Sequence, residues 1–135
     1  MRNYDLSKTG AELISDERDR QIVEEKWSPK HDDEHTDGSL ALAAICYATP
    51  VKLYKKVEYG AGPMFCDPWP GSWRMYFDKR WSIGKGGHGT VIPEPSTYTD
   101  EERFDFLVKA GALIAAELDR LIRRKKKNGS KRGNL

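Results

Sequence analysis

The chain has 135 residues, 33% of them charged and 38% hydrophobic, with a formal net charge of +2 and a mean hydropathy of −0.74. That length fits a single domain able to bury its own core, and no stretch approaches the roughly 18 uninterrupted apolar residues of a spanning helix, while Met1 to Thr9 lacks the apolar core of a signal peptide. Cys46 and Cys66 show none of the close, even spacing of a disulfide framework, so free thiols in a reducing, cytoplasmic setting are expected.

Residues 8–27 predict the first helix: good helix formers throughout, no internal proline, and Pro29 just beyond to stop it. Stepping from Ala11 and Ile14 by three or four residues, the face that ought to be apolar meets Glu17, Arg18, Gln21 and Glu25, with Ile22 at its border. Unpaired charges cannot be buried cheaply, so this face is exposed, internally paired, or lining a cleft that holds ions or ligand. Glu17, Gln21 and Glu25 recur every four residues and project as a row.

The next segment, His31-Asp32-Asp33-Glu34-His35-Thr36-Asp37, gathers two imidazoles and four carboxylates within seven residues. Carboxylates suit Mg²⁺, and imidazoles shift the preference towards Zn²⁺ or another transition metal. Neither an HExxH helix nor an EF-hand loop is present, and an interhelical loop whose Asp and Thr residues cap the following helix accounts for the same composition. That following helix is predicted over 39–49, with Asp37 or Ser39 at its start and Pro50 stopping it.

Residues 50–98 read as an irregular excursion rich in aromatic residues, glycine and proline, packed as a lid, with at most one hairpin between strands at 51–57 and 73–81. Its run from Trp69 to Trp81 includes Trp73 and Arg74, suited to stacking a base and meeting phosphate; filling a core beneath a long loop is the other use of such residues. Gly84 to Thr90 is glycine-rich but lacks GxxxxGK[ST] and reads as a turn. No Ser/His/Asp set or CxxC motif is recognisable.

The third helix is predicted over 100–125. Thr99 and Glu102 have capping-box spacing, and Phe104, Leu107, Val108, Gly111, Ile114, Ala115, Leu118, Leu121 and Ile122 form its main apolar stripe. Phe106, Ala110 and Leu113 make a second apolar face, which points to a partner, either the excursion or another copy of the chain through this helix. Small residues on the second helix (Ala41, Ala43, Ala44, Ala48) and the third (Ala110, Gly111, Ala112, Ala115, Ala116) predict close backbone approach. Lys109, Glu117 and Asp119 flank the stripe. From Arg123 onwards come seven cations and no acid; removing these seven from 23 leaves 16 bases against 21 acids, a negative body that disfavours nucleic acid except through the tail. The expected organisation is mainly α: one compact three-helix bundle over 1–127 and a disordered basic tail at 128–135.

Taken together, Glu17-Arg-Asp-Arg-Gln21, Glu25, His31-Asp-Asp-Glu-His35, Gly38, residues 40–47 (LALAAICY) and residues 107–120 (LVKAGALIAAELDR) resemble small proteins of tailed bacteriophages. Those proteins in turn distantly resemble the MazG-like all-α nucleoside triphosphate pyrophosphohydrolases. The resemblance covers about half the chain. It implies Mg²⁺- or Mn²⁺-dependent hydrolysis of a (d)NTP or related nucleotide in the host cytosol, with water as nucleophile. Glu17, Gln21 and Glu25 would line one wall, Asp32 and Asp33 another, and Glu117 or Asp119 a third. Metal ligation then falls to Glu17, Glu25, Asp32, Asp33 and Glu117, with Glu25, Asp32 and Asp33 catalytic, and nucleotide contact to Arg18, Gln21, Trp73, Arg74 and Lys109. The family pattern is ExxE followed by ExxD; the first predicted helix has no ExxE, and Glu102–Asp105, an ExxD spacing, lies at the start of the third. A non-catalytic phage accessory protein, binding a host protein or sequestering a nucleotide signal as a counter-defence, is the alternative.

Overall fold

The computed structural model describes residues 3–73, 78–80 and 93–133, with side chains through Gly129. Arg74 and the glycine-rich run at 84–90 lie outside the described residues. Helix α1 spans Gly10–Val23, opened by a capping box in which Thr9 Oγ1 accepts from Glu12 N and the Glu12 carboxylate accepts from Thr9 N. It ends short of residue 27. The chain turns at Lys26, whose φ of 63° is the left-handed conformation, and Trp27 N donates to Gln21 O at 3.0 Å.

That turn admits a short helix, α2 (Pro29–Asp33), where the sequence predicts a loop. Ser28 caps it by accepting from His31 N, and Pro29 occupies its first turn, where its missing N–H costs nothing. Helix α3 (Ser39–Ala48) follows Gly38, which at φ 81° makes the bend into the helix, while Asp37 Oδ1 accepts from Ser39 N. Strands β1 (Lys55–Tyr59) and β2 (Gly62–Cys66) pair antiparallel around Gly60-Ala61, in register Lys55↔Cys66 to Tyr59↔Gly62. The hairpin thus closes within 55–66 and does not use Trp73, which lies in a bend. After a single 3₁₀ turn at Pro95–Thr97, helix α4 runs Asp100–Gly133, through the basic stretch expected to fray.

Helix α4 is the axis: α3 packs against it most extensively, then α1, then α2. The apolar core sits between α3 and α4, where Leu40, Ala43, Ala44 and Tyr47 meet Phe106, Ala110, Leu113 and Ala116, closed by Trp27 and Trp73. Small residues do let α3 and α4 approach as expected. They also reverse the predicted orientation of α4. Its inner face is Phe106, Ala110, Ala112, Leu113 and Ala116; of the predicted core stripe Val108 is buried, while Leu107, Ile114, Leu118, Leu121 and Ile122 are exposed. Phe106 and Leu113, for which the sequence offered the excursion or another copy as cover, are core residues at 2% and 1% exposure, in a cluster that α3 shares with Trp73 and Tyr98 of the excursion. Gly111 serves α1 instead: a Cβ built there would lie 2.4 Å from Ile14 Cδ1, so a side chain at this position would make Ile14 shift. No described helix is long and apolar enough to cross a membrane. Cys46 and Cys66 are both free, and burial pushes the Cys46 thiol up to about 11, leaving it unreactive near neutrality.

Candidate functional site

The polar face of α1 is not solvated. Glu17, Gln21 and Arg18 are buried at 0%, 2% and 8% exposure, and Asp32 from α2 is buried at 0%. The order 17, 18, 21 places these groups on one helical face, and the Trp27 turn folds α2 back over it. Arg18 Nη2 donates to Asp32 Oδ2 at 2.5 Å, and Arg18 Nη1 to Trp27 O at 3.4 Å, tying the turn to the helix it leaves. The buried pair thereby locates α2 on α1.

Asp32 has a second partner, and from it a chain of hydrogen bonds runs outward. His31 Nδ1 lies 3.3 Å from Asp32 Oδ1, His31 Nε2 lies 3.3 Å from His35 Nε2, and His35 Nδ1 lies 3.2 Å from Ser39 Oγ. With both rings neutral, one proton arrangement fills every contact. His31 Nδ1–H donates to the carboxylate, His35 Nε2–H donates to His31 Nε2, and the Ser39 hydroxyl donates to His35 Nδ1. Burial lowers the His35 pKa, reinforced by the neighbouring His31 and opposed by Asp37, Asp32 and Glu34, which keeps this ring a neutral acceptor at pH 7.

Tryptophans wall the relay. Trp27 stacks on His31 with rings 3° apart and centroids 6.0 Å, Trp73 tilts against His35 at 5.3 Å, and Trp27 and Trp73 meet at 5.9 Å. Among the described residues, Arg18 Nε, Gln21 Oε1 and Trp73 Nε1 are buried polar atoms without a hydrogen-bond partner. Each such atom costs on the order of 1–3 kcal/mol, and such groups persist where a site needs them. The larger described grooves lie elsewhere, along the N-terminal segment: one of about 290 Å³ beside Leu13 and Leu107, another of about 660 Å³ beside Tyr4 and Phe104. Both are open and lie away from the chemistry, the first beside Leu107 and the second at the first turn of α4.

The row of acids on α1 is brought together, but around a cation of the chain's own. Arg20 donates to Glu17 through Nε (2.7 Å) and Nη2 (2.8 Å) and to Glu24 and Glu25 through Nη1 (3.1 and 3.3 Å), while Lys79 approaches Glu25 at 3.8 Å. Gln21 Nε2 completes the row by donating to Glu17 at 3.3 Å. These bonds, Glu17 first, raise the Arg20 pKa further, against the effect of its burial.

The remaining predicted residues are dispersed among other partners. Asp33 is exposed and paired with Arg123 of α4 at 2.7 Å, Glu117 with Arg120 at 2.6 Å, and Lys109 with Asp105 at 3.0 Å. The three-walled carboxylate cleft is therefore not assembled: Asp32 is joined to Arg18 and the histidines, and Glu17, Gln21 and Glu25 to Arg20. Among the described residues no three His, Cys, Asp or Glu side chains come together to hold a metal ion, and the carboxylates assigned to Mg²⁺ or Mn²⁺ already carry cationic partners. The described donor set does not fit a resident metal. Sequence reasoning weighed His31 and His35 only as imidazoles favouring a transition metal, and took Ser39 for a possible cap. Their spacing, 31, 35 and 39, was the available signal, obscured because it crosses from α2 into α3.

Compared with known families, curated proteins and solved structures, the chain matches none.

Proposed function

We propose that this chain, as a small helical bundle around α4, is a nucleotide hydrolase whose proton acceptor is the Ser39–His35–His31–Asp32 relay. The relay carries the reading: a neutral, partly exposed imidazole is held by a second imidazole and a buried carboxylate. This is what a general base near neutral pH requires. A water beside Ser39 passes its proton through the Ser39 hydroxyl to His35 Nδ1 as its oxygen attacks phosphorus, and the P–O bond to the departing phosphate or pyrophosphate breaks with its electron pair going to that leaving group. The Nε2 proton of His35 passes to His31 Nε2, and Asp32 stabilises the imidazolium formed there. Trp27 and Trp73 are buried and seat the two imidazoles, and the nucleotide class is taken from the sequence resemblance. Any Mg²⁺ or Mn²⁺ comes with the phosphates of the substrate, since Mg²⁺ commonly binds through substrate phosphates in place of an all-protein cage.

A second reading, nucleotide sequestration without cleavage, is favoured by one observation: Ser39, at the acceptor end of the relay, is only 3% exposed. Both readings meet in one assay. The full chain is incubated with a panel of (d)NTPs in Mg²⁺, Mn²⁺ or EDTA, products are resolved by ion exchange, and thermal shifts are recorded with intact nucleotide. Release of phosphate or pyrophosphate, lost by about 10²-fold or more in His35→Gln, supports the hydrolase. No turnover with a clear shift supports sequestration. Neither turnover nor shift rejects both, and turnover unchanged in His35→Gln removes the relay from catalysis.

A further inference from the structure

We infer that the outward stripe of α4 is the seam through which two copies of this chain pair, antiparallel, independently of what the buried relay does. Leu107, Ile114, Leu118 and Leu121 advance by seven, four and three residues, the spacing of a helix-to-helix seam, and Ile122 widens it; the position between the first two, Gly111, is taken by Ile14 of α1. The large side chains stand open at 44% (Leu107), 48% (Ile114), 55% (Leu118), 39% (Leu121) and 47% (Ile122). From Leu107 to Ile122 the stripe is roughly 22 Å long at the rise of an α-helix. The exposed large side chains from Ile114 to Ile122, with Leu107 beyond the α1 contact, on a chain with mean hydropathy −0.74, mark a surface that is covered when the protein works. The inner face of α4 is occupied by α3, and α1 and α2 also pack on α4, with Ile14 against Gly111; the large side chains from Ile114 to Ile122 still stand exposed, so this stretch is open to a cover from outside.

Charge names the occupant. The first turn of α4 carries exposed Asp100 and Glu101, and its far end carries exposed Arg124, Lys125, Lys126 and Lys127. Two antiparallel α4 helices lay the acidic start of each along the basic end of the other, and their helix dipoles oppose favourably. Parallel pairing would set four cations against four. An anionic lipid surface is also attracted by the basic end, but it is repelled by the acidic turn on the same helix, so a second copy is the better complement.

The test uses the full chain. Sedimentation equilibrium across the micromolar range is expected to give twice the chain mass of 15.4 kDa, weakening as salt rises. Leu118→Glu and, as a second variant, Ile114→Ser are expected to give the monomer mass with unchanged helical circular dichroism, since both positions are exposed within one copy. For orientation, Glu101→Lys and Lys126→Glu should each weaken pairing at least several-fold, and the two combined should restore it. A wild-type monomer at every concentration overturns the inference. So does a dimer indifferent to Leu118→Glu and Ile114→Ser, or a monomer that co-sediments with anionic vesicles. Absence of rescue in the charge-swapped pair overturns the antiparallel arrangement.

Discussion

Helices α1 and α4 depart from the ordinary pattern in opposite directions. On α1 the buried face carries Glu17, Arg18 and Gln21, whereas on α4 the exposed face carries Leu107, Ile114, Leu118, Leu121 and Ile122. The inversion on α4 follows from its neighbour: Ala110, Ala112 and Ala116 let α3 come close, so the bulky side chains are displaced to the other side. On α1 the inner face is filled by ion pairs, which are at best a neutral substitute for apolar packing. Neither arrangement is explained by the stability of one isolated copy. On the readings proposed above, charge inside serves chemistry and apolar surface outside serves a partner.

The comparison breaks most sharply at Asp32. Asp32→Asn leaves the Arg18 guanidinium buried without its counter-ion and interrupts the relay, for an expected loss of about 3–5 kcal/mol in urea unfolding. If the pair serves only folding, Arg18→Met with Asp32→Leu should recover most of that loss, with no activity to lose. A single Asp32→Asn within about 1 kcal/mol of wild type would mean that the inner face of α1 tolerates charge for some reason other than pairing.

Next in size is Gly111, where the two helices touch. Gly111→Val forces a Cβ into Ile14, 2.4 Å from Cδ1 and 2.7 Å from Cγ1, for an expected loss of about 1–3 kcal/mol. Ile14→Ala in the same chain should return much of it. Gly111→Ala gains roughly 1 kcal/mol of helix propensity, so its net loss is smaller. Thermal melts of the three variants check the order.

The same contact shows what the sequence reveals and what it conceals. Helices α1, α3 and α4 were legible from periodicity, caps and prolines, and the close α3–α4 approach from alanine spacing. Which face of α4 turns inward was not, because apolar bulk is a guide to burial only when the neighbour leaves room for it. Small residues signalled proximity, yet the hydrophobic pattern of the same helix pointed the other way. At the site, the unusual polarity of α1 was plain, and so was the acidic His31–Asp37 segment. The pairing was hidden: Arg18 reaches Asp32 only through the left-handed turn at Lys26 and the unforeseen helix α2. A row of acids looked like a metal wall until Arg20, inside the same row, proved to bridge it.

A smaller effect belongs to His35, which tests whether the buried polarity is tuned. Its folded pKa is lowered, chiefly by burial and then by His31, from an ordinary 6.5. Below that value the unfolded chain takes up a proton that the folded one resists, so stability falls as pH drops through and below 6.5; above it both forms are neutral and this dependence vanishes. Urea midpoints taken between about pH 7 and about pH 5, above the range where ordinary carboxylates protonate, should decline in wild type and flatten in His35→Asn. Equal slopes in the two proteins would show that the ring is not held neutral by its surroundings.

The smallest effect comes from the residue beside the largest. Asp33 follows Asp32 in sequence and also pairs with an arginine, Arg123, but that pair is open to solvent at side-chain exposures of 34% for Arg123 and 48% for Asp33. Water already solvates both charges, so removing one strands nothing, and Asp33→Asn should cost only about 0–1 kcal/mol, shrinking further as salt rises. Comparing Asp32→Asn with Asp33→Asn in one unfolding series holds the chemistry of the substitution fixed and varies burial alone. A severalfold larger loss at Asp32 attributes the effect to the interior of α1 and α2. Equal losses would instead place it in the docking of α2 on α4, through the Arg123 contacts with Asp33 and the Pro29 carbonyl.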